Sequence, residues 1–471
     1  MSELESVLAT VRERVQPDAE ERERLRAVAE RLADRARDAI DDLPTDADVV
    51  QVGSTARGTW LSGDRDIDLF VRFPPELPRE ELESYGLDVG HAVLPDGHEE
   101  YAEHPYVKGS VEGFDIDLVP CYDVAEATEI QSAVDRTPFH TQYLEARLDA
   151  DLAGDVLLAK RFLKAIGAYG SDLKTRGFSG YLTELLVVEH GGFVPLVEAA
   201  ATWHPPVELD PEEHGTRTFD DPLVVIDPTD PERNVAAVLS AENVARFQHY
   251  ARDLLADPRE ALFFPPEREP IGTDELREHL ARRETEPIAV VFDAPDLVDD
   301  QLWPQLRKSL SGAVQGLEER GFRVLRSRAM VEEDVDSPRE AGTDRLAVLL
   351  VELEVSELPA VERHEGPPVH VREHAEGFYA GYADDGEADG DATADRRTYG
   401  PFLEGNRYVV EREREVTDAA AFLASDDLLD VGLGAHVSNA LEDRTILRNE
   451  DVGTLADGFG DALREYFDPQ P

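Results

Sequence analysis

Val52-Gly53-Ser54-Thr55-Ala56-Arg57-Gly58-Thr59 is followed by Asp66-Ile67-Asp68-Leu69-Phe70, with eleven residues between Ser54 and Asp66. The first segment has the grammar of a Gly-Ser turn opening a helix, and the second that of a strand carrying alternate acids. Free backbone N–H groups at such a turn, with the positive end of a helix dipole, suit an anion such as a triphosphate. Gly53 permits close backbone approach. On a strand, Asp66 and Asp68 project from one face while Ile67 turns to the core. The text Gly113-Phe114-Asp115-Ile116-Asp117-Leu118-Val119-Pro120 repeats the alternation, so packing beside the first strand would bring a third carboxylate to the same place. Magnesium prefers a few carboxylates plus phosphate oxygens and waters, and two-metal phosphoryl transfer uses ions about 3.5–4 Å apart. One ion would lower the pKa of an attacking 3′-hydroxyl and the other would hold the triphosphate.

The elements that must position these groups are legible from hydrophobic spacing. Leu4, Val7, Leu8 and Val11, then Leu25, Val28, Leu32, Ala36 and Ile40, predict two helices over 3–41, broken near Pro17 and ended by Leu43-Pro44. Val49 to Val52, Ile67 to Phe73 and Phe114 to Val119 read as strands of a small α+β sheet domain. From Asp151 to about Glu198 the spacing is helical again, with Leu157, Leu158, Phe162, Leu163 and Ile166 on one side and a Gly-Ala-Tyr-Gly turn at 167–170. A Pro-rich charged stretch around Pro265, Pro266 and Pro270 reads as a linker. Beyond it, a strand at 288–295, a helix through 300–320 and a strand at 322–328 suggest a βαβ element, with more strand-like text at 345–355. The polar, acidic, Gly-rich stretch 382–396 reads as a surface loop; it lacks the closing Glu of an EF-hand.

At 471 residues the chain needs more than one hydrophobic core. Its 102 acidic residues against 47 basic ones leave a formal net charge of −55, far beyond what solubility in dilute buffer requires. Lysine is reduced to Lys108, Lys160, Lys164, Lys174 and Lys308, and the acids run along the whole chain rather than forming a tail. That distribution matches the proteome bias of an extreme halophile. With a Debye length of about 3 Å near 1 M salt, an acidic surface repels phosphate only at contact, so nucleic acid is not excluded as a partner. The single Cys121 excludes an internal disulfide framework and any cysteine metal cluster. No run approaches the roughly 20 apolar residues of a membrane span, and the acidic N-terminal text lacks a signal-peptide pattern. The expectation is a soluble, cytoplasmic protein with no membrane partner.

An Asp-x-Asp pair is common in any chain this acidic and says little alone. The combination of Gly-Ser, fixed spacing, alternating acids and a second acidic strand is far more specific, and it closely resembles the DNA polymerase β nucleotidyltransferase superfamily. Within it, GSTARGTWLSGDRDIDLFVRFP (53–74), DLVPCYDV (117–124), SAVDRTPFHTQYL (132–144), KRFLKAIGAYGSDLKTRGFSGYLTELL (160–186) and VVIDPTDPERNVAAVLS (224–240) are similar to segments of the archaeal-type (class I) CCA-adding enzymes. The likeness is strong over the first 245 residues and loose beyond.

The resemblance implies an α+β multidomain protein: a polymerase-β-like nucleotidyltransferase head (1–147), a helical neck (148–264), an α+β body (265–330 with 405–471) and a tail (331–404), the last two measuring the tRNA acceptor arm. It implies template-independent addition of the 3′-terminal CCA of tRNA from CTP and ATP, with Mg2+, or Mn2+ in its place, and it allows a homodimer. It places metal ligation and catalysis on Asp66, Asp68 and Asp117, and the triphosphate at Gly53, Ser54 and Arg57. The family often has Glu at the first acid, so Asp66 is shorter by one methylene. Asp115 shares the face of Asp117; Asp117 is preferred because it precedes the Leu-Val-Pro-Cys-Tyr run that anchors the match. His140, Lys160 and Tyr169 match further nucleotide contacts, Lys160 as a cation for the β/γ-phosphates. Arg233 matches a position that addresses the incoming base, the alternative being a helix N-terminal arginine paired with Asp230. The competing enzyme readings are a poly(A) polymerase or a small-molecule nucleotidylyltransferase, which would share the metal site and differ in acceptor. A non-catalytic RNA-binding or nucleotide-sensing module is the third reading.

Overall fold

Leu8, Val11 and Val15 recur at helical spacing, as do Leu25, Val28, Leu32, Ala36 and Ile40, and all of them are buried. They line α1 (Glu3–Val15) and α2 (Ala19–Ile40). The Ser2 hydroxyl accepts from the Glu5 N–H and the Asp18 carboxylate from the Glu21 N–H, which satisfies donors that a first turn leaves free. The computed structural model describes residues 2–101, 103–332, 345–383 and 397–471. Contacts gather the chain into two units, Met1–Glu267 and Arg268–Gln470.

In the first unit a sheet is built from β1 (Asp48–Val52), β2 (Asp66–Phe73), β3 (His98–Tyr101), β4 (Pro105–Val111) and β5 (Phe114–Tyr122), in the order β1-β2-β5-β4-β3. Only β2 and β5 run parallel; every other neighbouring pair is antiparallel. The short α3 (Gly53–Arg57) follows β1, and α4 (Arg79–Val93) follows β2. Ile67, Leu69, Val71 and Phe73 alternate onto one face of β2 and pack with Ile116 and Leu118 of β5 beneath α2 and α4. Each such fully buried side chain contributes about 1.5–3 kcal/mol. Because strand residues alternate, that apolar set turns Asp66, Asp68, Asp115 and Asp117 to the opposite face.

The rest of this unit comprises α5 (Thr137–Glu145), α6 (Ala150–Ala165), α7 (Gly180–His190), α8 (Phe193–Ala200) and α9 (Ala241–Ala256). A small sheet joins β6 (Val207–Leu209), β7 (Leu223–Asp227) and β8 (Asp230–Asn234). The helices share a core with α1 in which Phe162 meets the rings of Phe193, Phe247 and Phe263. Asp149, Ser179 and Ser240 cap α6, α7 and α9.

The second unit holds α10 (Thr273–Arg283), β9 (Glu286–Asp293), α11 (Asp299–Glu319), β10 (Val324–Val331) and β11 (Leu346–Leu353). It continues through β12 (Val361–Pro368), α12 (Arg372–Ala383), β13 (Thr398–Glu404) and β14 (Arg407–Glu413) to α13 (Ala419–Ala424), α14 (Ala435–Ala440), β15 (Thr445–Arg448) and α15 (Ala456–Phe467). The expected βαβ is present as β9-α11-β10, with β11 inserted antiparallel between the two parallel strands of a sheet ordered β10-β11-β9-β15. Two strands lie differently from the expected body and tail segments. β11, expected in the tail, is central in this larger sheet, and β14, expected in the body, is central in the smaller sheet β12-β14-β13. For β11 the reason is that it is apolar on both faces apart from Glu352, which Arg283 pairs, with Ala347 to Leu353 all buried, and only a central position covers both faces. The acidic stretch expected as a loop at 382–396 lies, from 384 on, outside the described residues. No helix among the described residues is long and apolar enough to cross a membrane.

Candidate active site

The parallel register of β2 and β5 sets Asp66 opposite Asp115 and Asp68 opposite Asp117. Four carboxylates therefore share one sheet face, Asp66 and Asp115 exposed, Asp68 and Asp117 half-buried. From the other side β4 presents Lys108 opposite Asp117, with Nζ 3.6 Å from its carboxylate. Burial, then the neighbouring charges of Asp117 and Asp66, push the Asp68 carboxyl up to about 6. Burial also raises Asp117, with Lys108 opposing, and it raises Asp66 together with the charges of Asp64 and Asp115.

Gly53, at φ +78°, begins the turn above these acids. A Cβ built there would lie 2.2 Å from Oδ2 of Asp68, so only glycine lets the turn and the carboxylate approach this closely. The helix it opens is one turn of five residues. Its dipole is correspondingly small, and anion binding would rest on the turn's N–H groups and nearby cations.

Those cations are arranged differently from the expectation of side chains facing a phosphate. Glu184, fully buried on α7, accepts from Arg57 Nε at 2.6 Å, from Lys160 Nζ at 2.7 Å and from the Thr59 hydroxyl at 2.7 Å. Lys160 also donates to the Thr59 carbonyl at 2.8 Å, and Arg57 donates to the Thr141 hydroxyl at 3.0 Å. Lys160 therefore lies inside the core with an engaged ammonium, because a buried carboxylate requires paired cations. Burial would raise Glu184, but Lys160 and Arg57 outweigh it and hold the carboxyl below its ordinary range. Lys164 is the more exposed lysine, 3.0 Å from Asp64. The Tyr169 hydroxyl packs on Gly180, where a Cβ would come within 3.1 Å of it.

A second cluster joins α5, α7 and the β7–β8 hairpin. The His140 ring stacks on Tyr181 with centroids 3.8 Å apart, and its Nε2 is 2.8 Å from Asp227. Arg233 donates to the same Asp227 oxygen at 2.7 Å, and the Thr229 hydroxyl to its other oxygen at 2.8 Å. Burial would raise Asp227, yet His140, the Thr229 N–H and Arg233 hold it far below the usual carboxylate range. Burial pulls His140 below the usual histidine range, with Asp227 opposing. The alternative partner expected for Arg233 is corrected here: Arg233 sits on a strand, not at a helix N-terminus, and pairs with Asp227, while Asp230 pairs with Arg136 at 3.2 Å.

Three site residues escaped the sequence reading. For Glu184 a signal existed: it is an acid set among Leu182, Leu185, Leu186 and Val187, buried all round, and such an acid needs buried partners. Asp227 ends the apolar run Leu223–Asp227, a weaker mark, and Tyr181 carried none.

Among the described residues no three His, Cys, Asp or Glu side chains are already gathered round one metal-sized point. The donor set nevertheless suits a hard divalent cation. The groups on offer are carboxylate oxygens on one sheet face, and burial together with mutual repulsion raises Asp68, a cost that such a charge would relieve.

Residues 33–140 match the family model for a nucleotidyltransferase domain, 154–264 that for the second domain of tRNA nucleotidyltransferase, and 283–449 that for the C-terminal domain of the CCA-adding enzyme. A CCA-adding enzyme of Halorubrum lacusprofundi is 66% identical over 471 residues, covering all of both chains. One of Haloarcula marismortui is 59% identical, covering 100% of this chain and 99% of the other. One of Methanosarcina acetivorans is 40% identical, covering 95% and 96%. Likeness of this extent, running through the acidic strands, the helical segment and the C-terminal unit alike, makes the chain a member of the CCA-adding enzyme family of nucleotidyltransferases.

Proposed function

We propose that the protein builds and repairs the 3′-terminal CCA of tRNA without a template, joining CTP and ATP to the RNA 3′-hydroxyl with release of pyrophosphate. Nucleotidyl transfer is supported by the β2–β5 register, which sets Asp117 beside Asp68 under the Gly53 turn, and the tRNA end by the full-length likeness to CCA-adding enzymes. Asp66, Asp68 and Asp117 would hold Mg2+, or Mn2+ in its place, which when bound supplies a lowered pKa for the attacking hydroxyl and neutralising charge for the triphosphate. The backbone at Gly53 and Ser54 would donate to phosphate oxygens, with Arg57 and Lys160 behind it and Tyr169 alongside. His140 and Arg233, fixed by Asp227, would meet the base and sugar. The unit Arg268–Gln470 would take the tRNA acceptor arm.

The runner-up, a poly(A) polymerase or small-molecule nucleotidylyltransferase, draws on the same acidic strands. It has no account of likeness to CCA-adding enzymes over the full length. Incubating the pure protein in molar salt with tRNA lacking its CCA end and labelled CTP or ATP separates the readings. Addition of two C and one A supports the proposal. Runs of A, or transfer to a small acceptor, would favour the runner-up, and no incorporation would favour a binding module.

A further inference from the structure

Glu184 stands at the meeting point of three segments. Its carboxylate takes hydrogen bonds from Arg57 at the end of α3, from Thr59 just beyond, and from Lys160 on α6. All are sequestered, with side-chain exposures of 0% for Glu184, 2% for Lys160 and 7% for Arg57. Two basic side chains thus meet one carboxylate immediately behind the Gly53 turn; burial pulls the Lys160 ammonium below its ordinary range, and Glu184 is the first of the groups that oppose this. In a chain of net charge −55 suited to concentrated salt, cations on the surface would be screened within a few ångströms. Buried ones are screened far less, so their field persists at the turn.

We infer that Glu184 is a positioning residue for the triphosphate: it holds Arg57 and Lys160 in place behind the Gly53-Ser54 turn and helps keep Lys160 protonated, so that both act on the phosphates from inside the protein. This rests on the nucleotide-binding reading of the turn proposed above. Glu184 also ties α3 to α6 and α7, so the same contact fixes the turn over Asp68.

The test uses the full-length protein in molar potassium chloride at fixed free Mg2+, with inorganic tripolyphosphate as a competitor that has no base. Glu184→Gln keeps the shape but releases the cations. Its Ki for tripolyphosphate and its KM for CTP and ATP are expected to rise by one common factor of about ten or more, with KM for tRNA and the preference among bases kept. Glu184→Asp, still charged, should recover part of the loss. Unchanged or tightened tripolyphosphate binding, or a loss confined to one nucleotide, would overturn the inference.

Should Glu184→Gln fail to fold, Lys160→Met answers the same question. It leaves a neutral Arg57–Glu184 pair and is expected to weaken tripolyphosphate by a similar factor; undiminished affinity in that variant overturns the proposal. Wild-type protein that neither binds tripolyphosphate nor incorporates CTP would instead sink the reading of the turn itself.

Discussion

A Cβ placed on Gly53 would fall 2.2 Å from Oδ2 of Asp68, so the Gly53-Ser54 turn and this carboxylate are mutually dependent. Gly53→Ala adds left-handed strain of about 1–2 kcal/mol to that clash. The variant should fold, and its kcat/KM for CTP addition should fall by about a hundredfold, because displacement of the reacting groups by an ångström is enough for that. Near-wild-type turnover in single-addition assays would refute the coupling.

Asp66→Ala, Asp68→Ala and Asp117→Ala should each abolish incorporation of both nucleotides while leaving tRNA binding nearly intact. Clustered carboxylates repel one another without metal, so removing one costs little stability. Asp115→Ala should be much milder, since of the two acids on β5 it is Asp117, half-buried, that stands opposite Asp68, the carboxylate against the Gly53 turn. A dead Asp115→Ala beside an active Asp117→Ala would reassign the third ligand.

The Asp68 carboxyl, pushed up to about 6 from an ordinary 3.8, gives a pH signature in metal-free protein. Between those values the folded chain keeps a proton that the unfolded chain has lost. The contribution is fully present below pH 3.8 and disappears as pH rises through 6. Asp68→Asn removes this dependence and should be more stable than wild type above pH 6 by about 1–3 kcal/mol. Urea melts with chelator in molar salt, from pH 4 to 8, would show the two proteins diverging with pH; a constant offset argues against Asp68 as the source.

Arg233→Ala should cost about 1–3 kcal/mol toward the correct base and hurt discrimination of CTP from UTP, or ATP from GTP, more than triphosphate affinity. Arg57→Ala should weaken every nucleotide alike and keep the preference for C and A. A four-nucleotide assay on tRNAs ending before each addition compares them. Uniform loss in Arg233→Ala would reduce that residue to a structural partner of Asp227.

Folding and activity should both require molar salt, since a formal charge of −55 destabilises the compact state by self-repulsion that screening relieves. An undiminished melting temperature in dilute, metal-free buffer would count against salt adaptation.

The shared face of the four acids was readable from sequence because strand alternation ties side-chain direction to residue parity. Once Ile67 and Ile116 face the core, Asp66, Asp68, Asp115 and Asp117 must face away. Capped amphipathic helices such as α2 were readable for the same reason, their period being local. Which acid lies beside which was not local. It depends on β2 and β5 pairing in parallel over a separation of about fifty residues, and parity alone does not set a register. The destination of each cation was likewise decided only in three dimensions. The family resemblance placed Arg57 and Lys160 at the phosphates, and a single buried carboxylate 24 residues beyond Lys160 holds both from the inner side. Arg233 meets Asp227 rather than Asp230 because the chain there forms a hairpin instead of a helix. Burial of charge is a property of the assembled core, and it is the assembled core that selects the partners.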